Sequence, residues 1–221
     1  MRPLAMHPLV QRLLLFSTLL FCGSLSMAQQ APVILVMGDS LSAGYGIDVQ
    51  EGWVTLLEER LSEQGFPHQV VNGSVSGETS GGGLNRLPRL LEQHEPSWVI
   101  LELGGNDGLR GYPVSDLRGN LEEIVAMSRD SGADVLLLGM QIPPNYGPRY
   151  TRQFAEVYPA LAEELDLALV PFMLEGVATD STLMQRDGIH PNADAQPLIL
   201  ETVWPVLHPQ LKALGSQRQT D

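Results

Sequence analysis

The chain has 221 residues, with 13 basic and 26 acidic side chains and a formal net charge of −13 at pH 7. So acidic a chain argues against nucleic acid or an anionic bilayer surface as a partner. Its single cysteine rules out a disulfide within the chain and a cysteine metal site.

Residues 1–28 read as a secretory signal. Arg2 and Arg12 supply positive charge, Leu13 to Phe21 form an apolar stretch too short to span a membrane, and Ser26-Met27-Ala28 offers small residues for a cut before Gln29. A lipoprotein anchor at Cys22 is the alternative, but bulky Phe21 stands where a lipobox needs a small residue. Cleavage would leave 193 residues (221 − 28), a charge of −15 because two arginines and no acids leave, and no cysteine. That is one domain's worth of chain, residues 29–214, followed by a polar tail, 215–221, expected to fray. A periplasmic or secreted monomer without a stable membrane anchor is expected.

The first element is the apolar run Val33 to Met37, which stops at Gly38 and gives way to Asp39-Ser40-Leu41-Ser42. A run without alternation reads as a strand buried on both faces. Ser40 then lies at the carboxyl end of a strand, just before a helix, where a parallel sheet collects ligands and reactive groups. Read structurally, Ser40 only caps that helix. Trp53, Leu56, Leu57 and Leu61 recur at helical spacing, and Gly65 ends that helix. Gln69 to Asn72 is a second strand, running into the glycine-rich loop 73–83 and a helix with Leu84, Leu87, Leu90 and Leu91 inward. Pro88 sits early in that helix or kinks it. Trp98 to Leu103 is a third strand, broken by Gly104-Gly105-Asn106-Asp107. A helix from Val114 closes at Gly132, and Asp134 to Met140 is the fourth strand. The stiff loop Ile142 to Gly147 precedes a helix over Phe154–Leu165, with Pro159 marking a kink or a new start. Leu167 to Val170 is the fifth strand, Pro171 to Asn192 an irregular stretch, and a final helix contains Leu198, Val203, Val206 and Leu207.

Strands alternating with helices predict an α/β fold: a three-layer α/β/α sandwich on a five-stranded parallel sheet of flavodoxin-like order 2-1-3-4-5. In that order the turns carrying Ser40, Gly77 and Asn106 leave neighbouring strands, roughly 4.8 Å apart.

An activated serine needs a base, an orienting acid and donors for an oxyanion. His68 and His94 fall in helix-to-strand connections at the opposite edge, and His208 near the end of the last helix. His190, in Asp187-Gly188-Ile189-His190-Pro191, is the one on the edge of Ser40. An Asp three residues before a His can accept from Nδ1 and leave Nε2 for the serine. A surface Asp and His at a helix start is the bland reading. The fifth strand lies about three spacings from the first, roughly 14 Å, so residues 171 to 190 must reach back across the edge. Asn106 could donate its amide to an oxyanion, or simply occupy a turn. Gly77 could present its N–H at close range, or belong to a flexible loop.

The blocks Gly38-Asp39-Ser40-Leu41-Ser42, Gly77, Gly104-Gly105-Asn106-Asp107 and Asp187-Gly188-Ile189-His190 resemble those of the SGNH, or GDSL, hydrolases. Ser40 to Tyr45 and Leu103 to Gly111 look most like the periplasmic branch with acyl-CoA thioesterase, lysophospholipase and arylesterase activities. The resemblance implies Ser40 as nucleophile, His190 as base and Asp187 as its orienter. It also implies an oxyanion hole of the Ser40 N–H, the Gly77 N–H and the Asn106 side chain. The substrate expected is a small-molecule fatty-acyl ester or thioester, held in a groove flanked by Leu109, Tyr112, Pro143, Pro144 and Tyr146. No cofactor and no metal are expected, since the histidines lack ligand spacing. A carbohydrate O-deacetylase on the same fold, and a non-catalytic module binding phosphate at Gly77–Gly83, are the competing readings.

Overall fold

The computed structural model describes residues 31–217. It contains one five-stranded, all-parallel sheet in the order 2-1-3-4-5: β1 Val33–Gly38, β2 Gln69–Asn72, β3 Trp98–Glu102, β4 Asp134–Leu138 and β5 Ala168–Val170. The three central strands bury nearly every residue, whereas edge strand β2 leaves Gln69 and Asn72 exposed. This is why β1, β3 and β4 are written as continuous apolar runs and β2 is not.

Seven α-helices connect the strands among the described residues: α1 Ser40–Ala43, α2 Trp53–Glu63, α3 Ser80–His94, α4 Gly105–Leu109, α5 Val114–Asp130, α6 Pro148–Leu165 and α7 Gln196–Gln217. Helices α2 and α7 pack together, as do α5 with α3 and α6. Each presents an apolar stripe to the sheet; α6, for example, buries Phe154, Val157, Tyr158, Leu161 and Ala162.

Three helix boundaries differ from the sequence expectation. Helix α3 begins at Ser80, so Gly81, Gly82 and Gly83 of the expected loop 73–83 belong to its first turn, and Pro88 lies inside the helix. Helix α6 begins at Pro148, six residues before Phe154, because proline is well suited to the first helical turn, where its missing N–H is no loss. Pro159 is then an interior residue of a continuous helix rather than a new start. Helix α7 runs through Gly215 to Gln217, into the segment expected to fray. The third and fourth strands also end earlier than read, at Glu102 and Leu138. Within α3, Leu87 and Leu91 are buried, while Leu84 and Leu90 are only half-buried. Residues 1–30, which include the expected signal segment 1–28, and residues 218–221 lie outside the described residues.

The register fixes where the chain can do chemistry. Gly38 pairs with Glu102 at the ends of β1 and β3. The two strands therefore release their loops side by side, at the point where the strand order reverses direction and α/β sheets open a crevice.

Candidate active site

Ser40 is the first residue of α1, and the cap of that helix is not Ser40 but Asp39. The Asp39 Oδ1 accepts from the Leu41 N–H at 3.0 Å, and the helix ends after one turn at Gly44. The Ser40 hydroxyl is left for other partners. It meets one from the far side of the sheet edge: His190 Nε2 stands 2.9 Å from Ser40 Oγ. His190 Nδ1 lies 2.7 Å from Asp187 Oδ2. The other Asp187 oxygen accepts from the backbone N–H groups of Ile189 and His190 at 2.9 and 3.0 Å. These bonds, the His190 N–H first, hold the Asp187 carboxyl down at about 2. An anionic carboxylate can only accept, so Nδ1 donates to it, and in the neutral ring Nε2 then faces Ser40 as an acceptor.

Asn106 belongs to α4, directly after β3. Its Nδ2 donates to Asp39 Oδ2 at 3.0 Å, which spends one of its two amide N–H groups and leaves the other. Gly104, two residues earlier, has φ +118, and an added Cβ there would collide with the Tyr158 hydroxyl. Glycine is thus required for the chain to leave β3 toward Asn106. Gly77 has φ +80, and its C=O accepts from Arg110 Nη2 at 2.9 Å. The N–H groups of Ser40 and Gly77 find no acceptor among the described residues.

Beneath these groups lies a buried polar layer that sequence reasoning missed. Glu102 is completely buried; its Oε2 accepts from Ser42 Oγ at 2.7 Å and from the Asp39 N–H at 3.1 Å. Burial, and then the neighbouring Asp39, push its carboxyl well above the ordinary range. Burial also raises Asp39, against its bonds from Leu41 and Asn106. Asp107, also buried, accepts from the Ser80 N–H and hydroxyl at 2.8 and 2.6 Å, tying the start of α3 to the Asn106 turn. The sequence signal was available for Glu102, an acid inside an otherwise apolar strand.

A cavity of about 400 Å³ opens beside Ser40, Asn106 and His190. Leu109, Met140, Ile142, Pro143, Pro144 and Phe172 supply much of its apolar wall. Of the five residues expected to flank the substrate, Leu109, Pro143 and Pro144 line it. Tyr112 lines a separate surface depression with Tyr150. Tyr146 reaches neither; its hydroxyl donates to the Leu109 C=O at 2.9 Å, bracing one wall from behind. The fold and the serine–histidine contact beside an apolar cavity fit a broad class, the α/β proteins with an activated serine.

The comparisons narrow the class. Residues 36–197 match the GDSL-like lipase/acylhydrolase family, and the chain belongs to that family. It is 52% identical over 200 residues to esterase TesA of Pseudomonas aeruginosa, covering 90% of this chain and all of that protein. It is 45% identical over 182 residues to thioesterase 1/protease 1/lysophospholipase L1 of Escherichia coli, covering 82% of this chain and 86% of that one. Among solved structures, the crystal structure of TesA superposes with a TM-score of 0.78 at 54% identity, covering 80% of this chain and 98% of that one. The chain is an enzyme that hydrolyses ester bonds.

Proposed function

We propose that this enzyme cleaves carboxylic ester and thioester bonds of fatty-acyl substrates through an acyl-enzyme on Ser40, after export directed by residues 1–28. The single observation that carries the mechanism is the 2.9 Å approach of His190 Nε2 to Ser40 Oγ at the mouth of an apolar cavity.

As Ser40 Oγ attacks the acyl carbonyl carbon, His190 takes its proton at Nε2, and Asp187 holds the ring by its Nδ1–H. The carbonyl oxygen gains the negative charge. It is met by the N–H groups of Ser40 and Gly77 and by the spare N–H of Asn106. The tetrahedral intermediate collapses as the bond to the leaving group breaks, and His190 returns the proton to the departing alcohol or thiol. Water then attacks the acyl-Ser40 ester by the same proton transfers and releases the acid. The acyl chain lies along Leu109, Ile142, Pro143 and Phe172, where apolar surface leaving water is favourable. The E. coli relative bears the names thioesterase and lysophospholipase, which supports extending the substrate class beyond simple esters.

A fluorophosphonate should label Ser40 at one per chain and block hydrolysis of aryl and acyl esters. Both the label and the turnover should vanish in Ser40→Ala and fall sharply in His190→Ala. Turnover at the wild-type rate in Ser40→Ala would end the reading. A panel of p-nitrophenyl esters and lysophospholipids then reads the acyl preference.

A further inference from the structure

His190 and Ser40 belong to opposite parts of the sheet. Ser40 follows β1 and His190 follows β5, so the long connection after β5 has to deliver the imidazole to within a hydrogen bond of the hydroxyl. Part of the answer lies within that connection. The Gln185 N–H donates to the His190 C=O at 2.7 Å, the Asn192 N–H to the Leu183 C=O at 2.8 Å, and Met184 bridges Pro191 in antiparallel fashion. This small hairpin keeps Asp187 and His190 together at its tip. It does not, by itself, set how far that tip stands from Ser40.

Two side chains cross the gap. Gln185 Nε2 donates to the Tyr45 C=O at 2.7 Å and to the Pro191 C=O at 2.9 Å. One amide therefore uses both its N–H groups, one on the segment that follows Ser40 and one on the residue after His190. An added Cβ at Gly46 would collide with the Gln185 amide, so glycine next to Tyr45 keeps the space for it. From the other direction, the Tyr45 ring covers the His190 imidazole, with ring centroids 4.5 Å apart and planes tilted by 40°. Tyr45 is itself tied to the nucleophile, because its N–H donates to the Ser40 C=O at 3.1 Å.

We propose that Gln185 and Tyr45 are positioning residues that clamp the His190 hairpin to the Ser40 turn and so set the distance across which the proton passes. This rests on the serine–histidine reading above. Neither residue lines the acyl cavity, so neither holds substrate there. The amide bridge fixes the hairpin along the sheet edge. The ring stops the imidazole from turning away from Ser40, and an aromatic face also favours the imidazolium that forms during attack. The chemistry is sensitive to such positioning: a displacement of about 1 Å in a catalytic group can cost roughly 10²-fold in rate.

The test compares Gln185→Glu, Tyr45→Leu and Tyr45→Phe with the wild-type enzyme, and with His190→Ala as control. The Gln185→Glu carboxylate keeps the size of the amide but faces two carbonyl oxygens with no proton to donate. It should lower kcat by roughly 10- to 10²-fold and leave KM for a p-nitrophenyl ester within about threefold, as expected when an interaction important only in the transition state is lost. The fluorophosphonate labelling rate should fall in step with kcat. Tyr45→Leu should act in the same direction, and Tyr45→Phe, which retains the ring, should recover most of the loss. A wild-type kcat in Gln185→Glu overturns the clamp, as does a loss expressed mainly in KM, or a Tyr45→Phe as impaired as Tyr45→Leu. If His190→Ala hydrolyses ester normally, the serine–histidine reading itself falls. If His190→Ala is inactive and Gln185→Glu normal, only the clamp does.

Discussion

Glu102 lies directly under the turn that bears the nucleophile and is chemically unlike any carboxylate on the surface. It has no exposure; one oxygen takes the Ser42 hydroxyl and the Asp39 N–H, and the other has no partner among the described residues. Burial first, and then the Asp39 carboxyl, raise it well above its ordinary 4.5. The folded protein thus binds this proton more tightly than the unfolded chain does, so its contribution to stability is complete below 4.5 and is lost as pH rises through the raised value. Asp187 has the opposite sign. Held at about 2, it favours the fold above its ordinary 3.8 and stops doing so as pH falls through about 2. Glu102→Gln places a neutral amide where the protonated acid stood and removes the titration. Thermal melts at a series of pH values should therefore show the variant gaining on the wild type as pH rises above 4.5, with the difference levelling off once pH exceeds the raised value. A constant difference would mean that Glu102 ionises in the folded protein as it does in the unfolded one.

The junction between β3 and α4 shows what the elements require of single positions. Gly104 combines φ +118 with a site where a Cβ would strike the buried Tyr158 hydroxyl, which already donates to the Leu103 C=O at 3.0 Å. Gly104→Ala should destabilise the fold by about 1–3 kcal/mol, the usual cost of forcing atoms into a filled core, and should also lower kcat, because Asn106 begins its approach to Asp39 from this turn. Urea unfolding followed alongside ester turnover checks both. Retained activity with lowered stability would mean that α4 shifts without moving the Asn106 amide.

The same junction marks how far the sequence could be read. Ser40 and Asn106 follow closely on the ends of β1 and β3, and Asp187 and His190 share one short block in the long connection after β5, so each stood out as a candidate; spacing left a structural reading open for each, and the family resemblance supplied the roles. The sheet order followed from strands alternating with helices. The partners of those residues could not be read this way. Glu102 meets Ser42 and Asp39 across sixty or more positions of chain, and Gln185 reaches Tyr45 across 140. Neither contact leaves a local period or spacing. The start of α6 at Pro148 was obscured for a local reason: Pro143, Pro144, Gly147 and Pro148 together look like loop, although proline suits a first helical turn.

Taken as a whole, the molecule is an anion, and the ester and thioester substrates proposed for it differ in charge. The chain carries −13, and the loss of residues 1–28 would make it −15. Arg110, whose Nη2 is hydrogen-bonded to the Gly77 C=O, and Arg186, next in the chain to Asp187, are cations beside the site that could offset this locally. A neutral p-nitrophenyl ester should not feel the field. A polyanionic acyl-CoA ester approaching the same Ser40 should be repelled at long range, and salt should relieve that repulsion. Between about 0.01 M and about 0.15 M ionic strength the Debye length contracts from about 30 Å to about 8 Å. Over that range kcat/KM for acyl-CoA should rise while that for the neutral ester stays flat. Since the chemistry and the acyl cavity are common to both substrates, the ratio of the two isolates the leaving group. A ratio that falls with salt would mean that the two arginines outweigh the global charge and draw the coenzyme in. It would then be the local field at the mouth, not the net charge, that decides which leaving groups this enzyme accepts.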